Sequence, residues 1–245
     1  MTKEWRKNMD LGYDVIALFL DLSKAFDTVD HNILLSKLIY YNFHPKFISL
    51  IKSYLENRTI KVKVNDSLSE KREMNVGVPQ GSVLGPLLFI IYFNDFNYLE
   101  LKSEKFLYAD DTTMSLYGKH IDLIAKDIEE DLMKVDTWLT HNRLLINWKK
   151  TQAIHFSPSR SKNIALNNDP NIEISQHKFI LYLDKKLKFV RTFKLLGVII
   201  DNRLNFEDHA ISISKKVNSI TGLLTKSSFI FLQIKLNRSY LNYSL

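Results

Sequence analysis

Asp110 and Asp111 stand side by side in Phe106-Leu-Tyr-Ala-Asp-Asp-Thr-Thr-Met114, between two short runs rich in β-branched and aromatic residues. Such runs around a polar pair predict a hairpin with both carboxylates at its tip. Adjacent like charges repel and disfavour ionisation unless something positive binds between them. A divalent cation with oxygen ligands would serve, although an Asp-Asp pair by itself also describes an ordinary solvated turn. A third carboxylate, Asp21, could share such an ion. It ends Val15-Ile-Ala-Leu-Phe-Leu20, an apolar run of six residues, too short for an ordinary helix and suited to a strand buried on both faces. A strand that simply stops at a polar residue would look the same. If strand and hairpin are neighbours, the acids converge on a patch suited to two Mg²⁺ ions. One ion would activate an attacking oxygen and the other would stabilise a leaving group in phosphoryl transfer. A nuclease and a polymerase both fit that chemistry.

The elements that must hold these acids follow from periodicity. The first fourteen residues are polar and suggest no function. After Asp21, Ile33, Leu34, Leu38 and Ile39 mark a helix near Asp30–Tyr41, with Thr28 or Asp30 as its cap. Pro45 suits the first position of a second helix, running to about Asn57. Ile60-Lys-Val-Lys-Val64 alternates strictly and predicts a half-buried strand with lysines outward. Gly77-Val-Pro-Gln-Gly-Ser-Val-Leu-Gly85 concentrates three of the seven glycines, which suits either backbone shaped for close approach of a ligand or a structural turn. A glycine-rich loop before an apolar helix (about Leu84 to Tyr98) can cradle phosphate, but the lysine of a P-loop is missing. A long amphipathic helix is predicted over His120–His141, with Asp127, Glu129, Glu130 and Asp131 as a solvated face. Leu144–Ile146 and Ala153–Phe156 read as strands flanking Asn147–Thr151. Ser157–Pro170 reads as a loop, Ile172–Asp201 as short strands, and Phe206 to about Lys226 as a helix.

Composition narrows the class. The 245 residues are 45% hydrophobic and 25% charged, enough for one large or two small domains with a real core. No apolar run approaches membrane-spanning length and no signal-peptide pattern opens the chain, so no membrane role is expected. Cysteine is absent, which excludes disulfides, thiolate zinc sites and a cysteine nucleophile, and fits an intracellular protein. Residues 1–140 hold 17 Lys and Arg against 21 Asp and Glu, a balance of −4; residues 141–245 hold 17 against 6, a balance of +11. An acidic part followed by a basic one suggests a metal-holding site beside a surface for polyanion, although a charge excess alone equally describes a soluble basic surface.

The order and wording of five segments resemble the reverse transcriptase domain of non-LTR (LINE- and jockey-type) retrotransposons. These are Phe19-Leu-Asp-Leu-Ser-Lys-Ala-Phe-Asp-Thr-Val-Asp-His31, Gly77-Val-Pro-Gln-Gly-Ser-Val-Leu-Gly-Pro-Leu-Leu-Phe89, Tyr108-Ala-Asp-Asp111, Asn147-Trp-Lys-Lys-Thr151 and Leu196-Gly-Val198. The resemblance covers about residues 10–225 and implies an α+β polymerase palm, a ferredoxin-like antiparallel sheet backed by helices, over 1–200, with a partial helical thumb over 201–245. It implies an RNA-directed DNA polymerase that extends a primer 3′-hydroxyl with two Mg²⁺ ions, for which Mn²⁺ can substitute. Asp21 and Asp110 would bind both metals with help from the Leu22 carbonyl, and Asp111 would be the nearer partner of the catalytic ion. Phe26 would stack under the incoming sugar and exclude a 2′-hydroxyl. Gln80 and the backbone around Gly81 would line the nucleotide and template pocket. Lys150, with Lys149 as rival, would pass a proton to pyrophosphate. Leu196 and Gly197 would grip the primer end. RNA template, DNA primer and deoxynucleoside triphosphates are the implied partners, and nucleus and cytoplasm the implied locations.

Some family parts have no counterpart in the sequence. The fingers segments expected before Asp21, an endonuclease domain, a Cys/His-rich tail and a full thumb are not recognisable. The alternative to a polymerase is therefore an inactive remnant that binds RNA or RNA–DNA duplex through its basic half. The sequence leaves the oligomeric state open.

Overall fold

The computed structural model describes residues 1–158, 179–183 and 185–221, which fall into two compact units dividing after Val190. In the first unit the order is α1 (Thr2–Asp10), β1 (Asp14–Leu20), α2 (His31–Tyr40) and α3 (Pro45–Leu55), then four two-residue strands. Those are β2 (Thr59–Ile60), β3 (Lys63–Val64), β4 (Ser67–Leu68) and β5 (Arg72–Glu73). There follow α4 (Leu84–Phe93), β6 (Glu104–Tyr108), β7 (Asp111–Gly118), α5 (Ile121–His141), β8 (Gln152–Phe156), β9 (Phe179–Tyr182) and β10 (Lys185–Lys188). The central sheet is wholly antiparallel, in the order β6-β7-β1-β8. The fold is thus the α+β palm arrangement, with helices packed on an antiparallel sheet.

Strand β1 lies inside the sheet, and residues 15–20 are all buried, which is why its sequence is apolar without alternation. One face of the sheet carries Ile16, Leu18, Leu20, Met114 and Ala153. These join Leu34 and Leu38 of α2, Leu88, Phe89 and Tyr92 of α4, and Ile128, Leu132 and Val135 of α5 in one core cluster. Helix α4 is apolar on every side, while α5 has the predicted amphipathic stripe. On the opposite face Trp5 of α1 lies 4.9 Å from the Phe156 ring and 6.2 Å from Phe19. The N-terminal residues, which suggested nothing by sequence, therefore form a helix that covers the second face through Trp5 and Met9.

Asp30 caps α2, accepting hydrogen bonds from the Asn32 and Ile33 amides at 2.9 and 3.0 Å, and its other oxygen pairs with Arg143. Pro45 opens α3 as expected. Four readings need correction. Residues 60–64 form no half-buried strand: the 59–73 segment is a two-stranded ribbon whose register slips between Ile60↔Arg72 and Lys63↔Leu68, and Ile60, Val62 and Val64 are exposed. Alternation reports a period of two, not whether anything covers the apolar side. Residues 144–146 form no strand either. The Leu144 amide closes the end of α5 on the Leu139 carbonyl, and only Ile146 makes a bridge, to Leu22. The predicted helix over 84–98 changes to 3-10 geometry at Asn94–Tyr98. Finally, Asp131 does not belong to a solvated face: it is fully buried and accepts from the Lys102 amide (3.0 Å), the Ser103 amide (2.7 Å) and the Ser103 hydroxyl (2.6 Å). A buried carboxylate is tolerated when donors satisfy it, and here it pins the chain entering β6.

The second unit contains the hairpin β11 (Thr192–Leu195) and β12 (Val198–Asp201) and a helix over 207–221. Buried Asp201 joins the two by accepting from the Arg203, Asn205 and Phe206 amides at 2.9, 3.2 and 2.7 Å. The expected loop beyond Pro158, the strand content of 172–178 and the helix and tail beyond 221 lie outside the described residues. No helix among the described residues is long and apolar enough to cross a membrane.

Candidate active site

The last β1–β7 pair is Leu20 with Thr112, and β7 opens at Asp111, which pairs with Tyr108 across the hairpin. Asp21 therefore sits one step past the end of β1, beside the point where the hairpin turns. The turn itself is Ala109-Asp110, with Ala109 at φ 54°. Glycine usually takes the left-handed position of such a tight turn, and a side chain there costs about 1–2 kcal/mol. Strain of this kind persists where the surroundings fix the backbone, and it gathers at functional sites.

Asp111 feels the charges of both other acids. The carboxyl of Asp111 is raised above its ordinary pKa, first by burial and then by the negative charges of Asp110 and Asp21. The end of β1 is also tied to the turn after α5. The Asp21 amide donates to Thr151 Oγ1 at 3.3 Å, and its carbonyl accepts from the Asn147 amide at 2.8 Å. Within that turn the Lys150 and Thr151 amides donate to the Asn147 carbonyl at 3.0 and 2.9 Å. Of the two neighbouring lysines, Lys150 brings its ammonium toward Asp21, with Nζ 3.9 Å from Oδ2. Its side chain is 70% exposed, so the pair is loose and free to exchange partners. Among the described residues no group of three or more acidic, histidine or cysteine side chains is arranged to hold a metal ion. The donor set is nonetheless of the right chemistry for a hard divalent cation: three carboxylates whose repulsion a cation would relieve.

The glycine-rich loop docks on the turn that follows Asp21. The Gly77 amide donates to the Val29 carbonyl at 2.7 Å and the Val78 amide to the Phe26 carbonyl at 2.8 Å. His31 Nε2 lies 2.8 Å from the Gly77 carbonyl, and Gln80 Nε2 donates to Asp27 Oδ1 at 2.7 Å. Gly77 has φ +86°, and a Cβ there would stand 2.8 Å from the Asp27 carbonyl oxygen, so the close approach requires glycine. The Phe26 ring packs on Phe89 of α4 at 4.7 Å and remains partly exposed, while Gly81 turns with φ +76°. Buried Leu22 follows Asp21 and bridges to Ile146. Asp21, Leu22, Phe26, Gln80, Gly81, Asp110, Asp111 and Lys150 thus all belong to the first unit: the segment after β1 bonds to the glycine-rich loop and to the turn after α5, and the Asp110–Asp111 hairpin joins it through the β1–β7 pairing. Asp27 and His31 stand in the first of the five resembling segments but have no role assigned there, because the use of each depends on a loop about fifty residues away.

Leu196 and Gly197 belong to the second unit, where both residues have positive φ (47° and 87°) and form the two-residue turn between β11 and β12. Leu196 is 54% exposed at that turn, a strained and solvated leucine.

Comparison with known proteins gives a consistent result. Residues 2–200 match the family described as reverse transcriptase (RNA-dependent DNA polymerase). The RNA-directed DNA polymerase from mobile element jockey of Drosophila melanogaster is 29% identical over 233 residues, 91% of this chain and 24% of that protein. The probable RNA-directed DNA polymerase from transposon BS of the same organism is 31% identical over 230 residues, 89% of this chain and 24% of that protein. The chain spans about a quarter of the length of these relatives. Among solved structures, apo telomerase from Candida tropicalis truncated from its C-terminal domain superposes with a TM-score of 0.52 at 15% identity, covering 84% of this chain and 37% of that one. A second telomerase, in complex with a fragment of telomeric RNA, gives 0.53 at 14% identity, covering 84% of this chain and 32% of that one.

Proposed function

Because the chain belongs to the reverse transcriptase (RNA-dependent DNA polymerase) family, we propose that it carries the nucleotidyl-transfer site of a non-LTR retrotransposon polymerase. The observation that carries this reading is the strand register that ends β1 at Leu20, opposite Thr112, and so brings Asp21 beside the Asp110–Asp111 hairpin, where burial first and then the charges of Asp110 and Asp21 raise the Asp111 carboxyl. Asp21, Asp110 and Asp111 would hold two Mg²⁺ ions, which when bound acidify a primer 3′-hydroxyl and offset triphosphate charge. In the reaction the 3′-oxygen bonds to the α-phosphorus of a deoxynucleoside triphosphate while the bond to pyrophosphate breaks. The chain's own residues arrange that geometry. Phe26, braced by Phe89, would floor the sugar. Gln80 and the backbone at Gly81 would face the nucleotide and template. Lys150 would lend its proton to the departing pyrophosphate.

We assign the palm to 1–200 and the partial thumb to 201–245, with Leu196 and Gly197 holding the primer end. The mobile-element origin of the curated relatives supports RNA as template and DNA as primer, with nucleus and cytoplasm as the places of action. The test is extension of a DNA primer on an RNA template by the 245-residue chain in Mg²⁺. Extension should need the ion and vanish with Asp110→Asn. A variant that extends as fast as the wild type would remove Asp110 from the site. Duplex binding without any extension would leave only a binding remnant.

A further inference from the structure

Asp27 lies one residue after the proposed sugar floor, and its carboxylate receives Gln80 Nε2 at 2.7 Å. A carboxylate at neutral pH only accepts hydrogen bonds, so the amide nitrogen of Gln80 must face Asp27, and its carbonyl oxygen Oε1 must point elsewhere. A free glutamine at an exposed position would sample both amide orientations and many rotamers. Four contacts hold the loop that carries this one, and one of them is made by its own side chain. The Gly77 and Val78 amides, His31 and Gln80 all hold the glycine-rich loop to residues 26–31 at 2.7–2.8 Å. The backbone contacts fix the loop, and the Asp27 contact fixes the amide.

Resting on the nucleotide-pocket reading above, we infer that Asp27 is a positioning residue which locks Gln80 with its carbonyl oxygen as the pocket's acceptor. It acts through Gln80 and does not touch the reacting atoms. Its anionic form strengthens the bond, since hydrogen bonds to charged groups exceed neutral ones. The pocket gains a fixed acceptor without the cost of ordering a side chain when nucleotide arrives.

Asp27→Ala frees the amide. Gln80→Glu sets two carboxylates against each other and breaks the contact by repulsion. The double variant Asp27→Asn with Gln80→Glu restores a donor–acceptor pair with the polarity reversed, leaving a carboxylate oxygen at position 80 to act as acceptor. In primer extension, Asp27→Ala should raise the KM for deoxynucleoside triphosphate about tenfold, the value of one contact near 1.4 kcal/mol, and leave kcat within about twofold. Gln80→Glu should be worse, and the double variant should recover most of the loss. Equal KM values for wild type and Asp27→Ala, or no recovery in the double variant, would overturn the inference.

A second measurement needs neither substrate nor activity. In ¹⁵N-labelled protein the Gln80 side-chain amide protons should exchange with water slowly, and Asp27→Ala should speed them to the rate of an exposed glutamine. Fast exchange in the wild type overturns the inference alone and leaves the polymerase reading intact. A wild type with protected amide protons but no extension of any primer would sink that reading, and with it the nucleotide-pocket role of the lock.

Discussion

Replacing Gly77 with alanine tests whether the glycine-rich loop is seated on the turn after Asp21. Gly12 provides a matched control, because both glycines have φ +86°. At Gly12 an added Cβ meets nothing within 4 Å, whereas at Gly77 it would lie 2.8 Å from the Asp27 carbonyl oxygen and 3.1 Å from the Asp27 carbonyl carbon and Cα. Gly12→Ala should therefore cost only the left-handed backbone term, about 1–2 kcal/mol. Gly77→Ala carries that cost and must also push backbone from backbone. The displacement stretches the Gly77–Val29, Val78–Phe26 and His31–Gly77 hydrogen bonds, now 2.7–2.8 Å long. At about 1 kcal/mol for each of the three bonds, and with stretching that removes most of that value, the additional loss should be about 2–3 kcal/mol. For a chain of this size that difference corresponds to a Tm about 4–12 °C below that of Gly12→Ala. Thermal and urea denaturation of both variants and the wild type would measure it. If the two variants unfold together, Gly77 is not pressed on Asp27, and the pairing of the glycine-rich loop with the Phe26 turn fails with it.

Phe26→Val should let ribonucleotides into the extended product while reducing stability by about 1–2 kcal/mol, since the ring that packs on Phe89 is only partly buried. An unchanged preference between ribo- and deoxynucleotides would reject Phe26 as the sugar gate. Asp131→Ala should destabilise the fold by about 3–5 kcal/mol by orphaning the amides and hydroxyl it now satisfies. A wild-type urea midpoint for that variant would refute its role as an anchor. The logarithm of the affinity for RNA–DNA duplex should fall linearly with the logarithm of salt concentration, by about 0.7–0.9 decades per decade of salt for each phosphate contacted. A flat response would remove the 17 basic residues of 141–245 from the binding surface.

Much of the site was legible in the sequence because its constraints are local. An unbroken apolar run of six residues has few options besides a strand buried on both faces, and β1 is one. An Asp-Asp pair between β-prone runs gives a hairpin, and residues 104–118 form one, with Asp110 in the turn. Helices α2, α3 and α5 begin and end near their cap, proline and periodicity signals. The misread segments are those in which the local pattern is silent about what lies across from it. Ile60–Val64 alternates whether or not anything covers it. Asp131 shares a helix with exposed acids, and only the folded-back Lys102–Ser103 amides make it a buried ligand. Trp5 and Met9 sit in a polar stretch whose mean hydropathy hides two apolar anchors.

The sequence by itself determined which residues could do chemistry: three carboxylates, an aromatic five positions after the first, a glutamine in a glycine-rich loop and a lysine beyond them. It also determined the strand and the turn that present the acids, because apolar periodicity and turn preference act over a few residues. Tertiary structure decided that Asp21 and Asp111 face a common edge, that Lys150 rather than Lys149 leans toward Asp21, and that Asp27 and His31 hold the loop carrying Gln80. Those outcomes depend on strand register and on contacts between groups 46 to 130 residues apart. Only the packing of the whole sheet and its helices selects them.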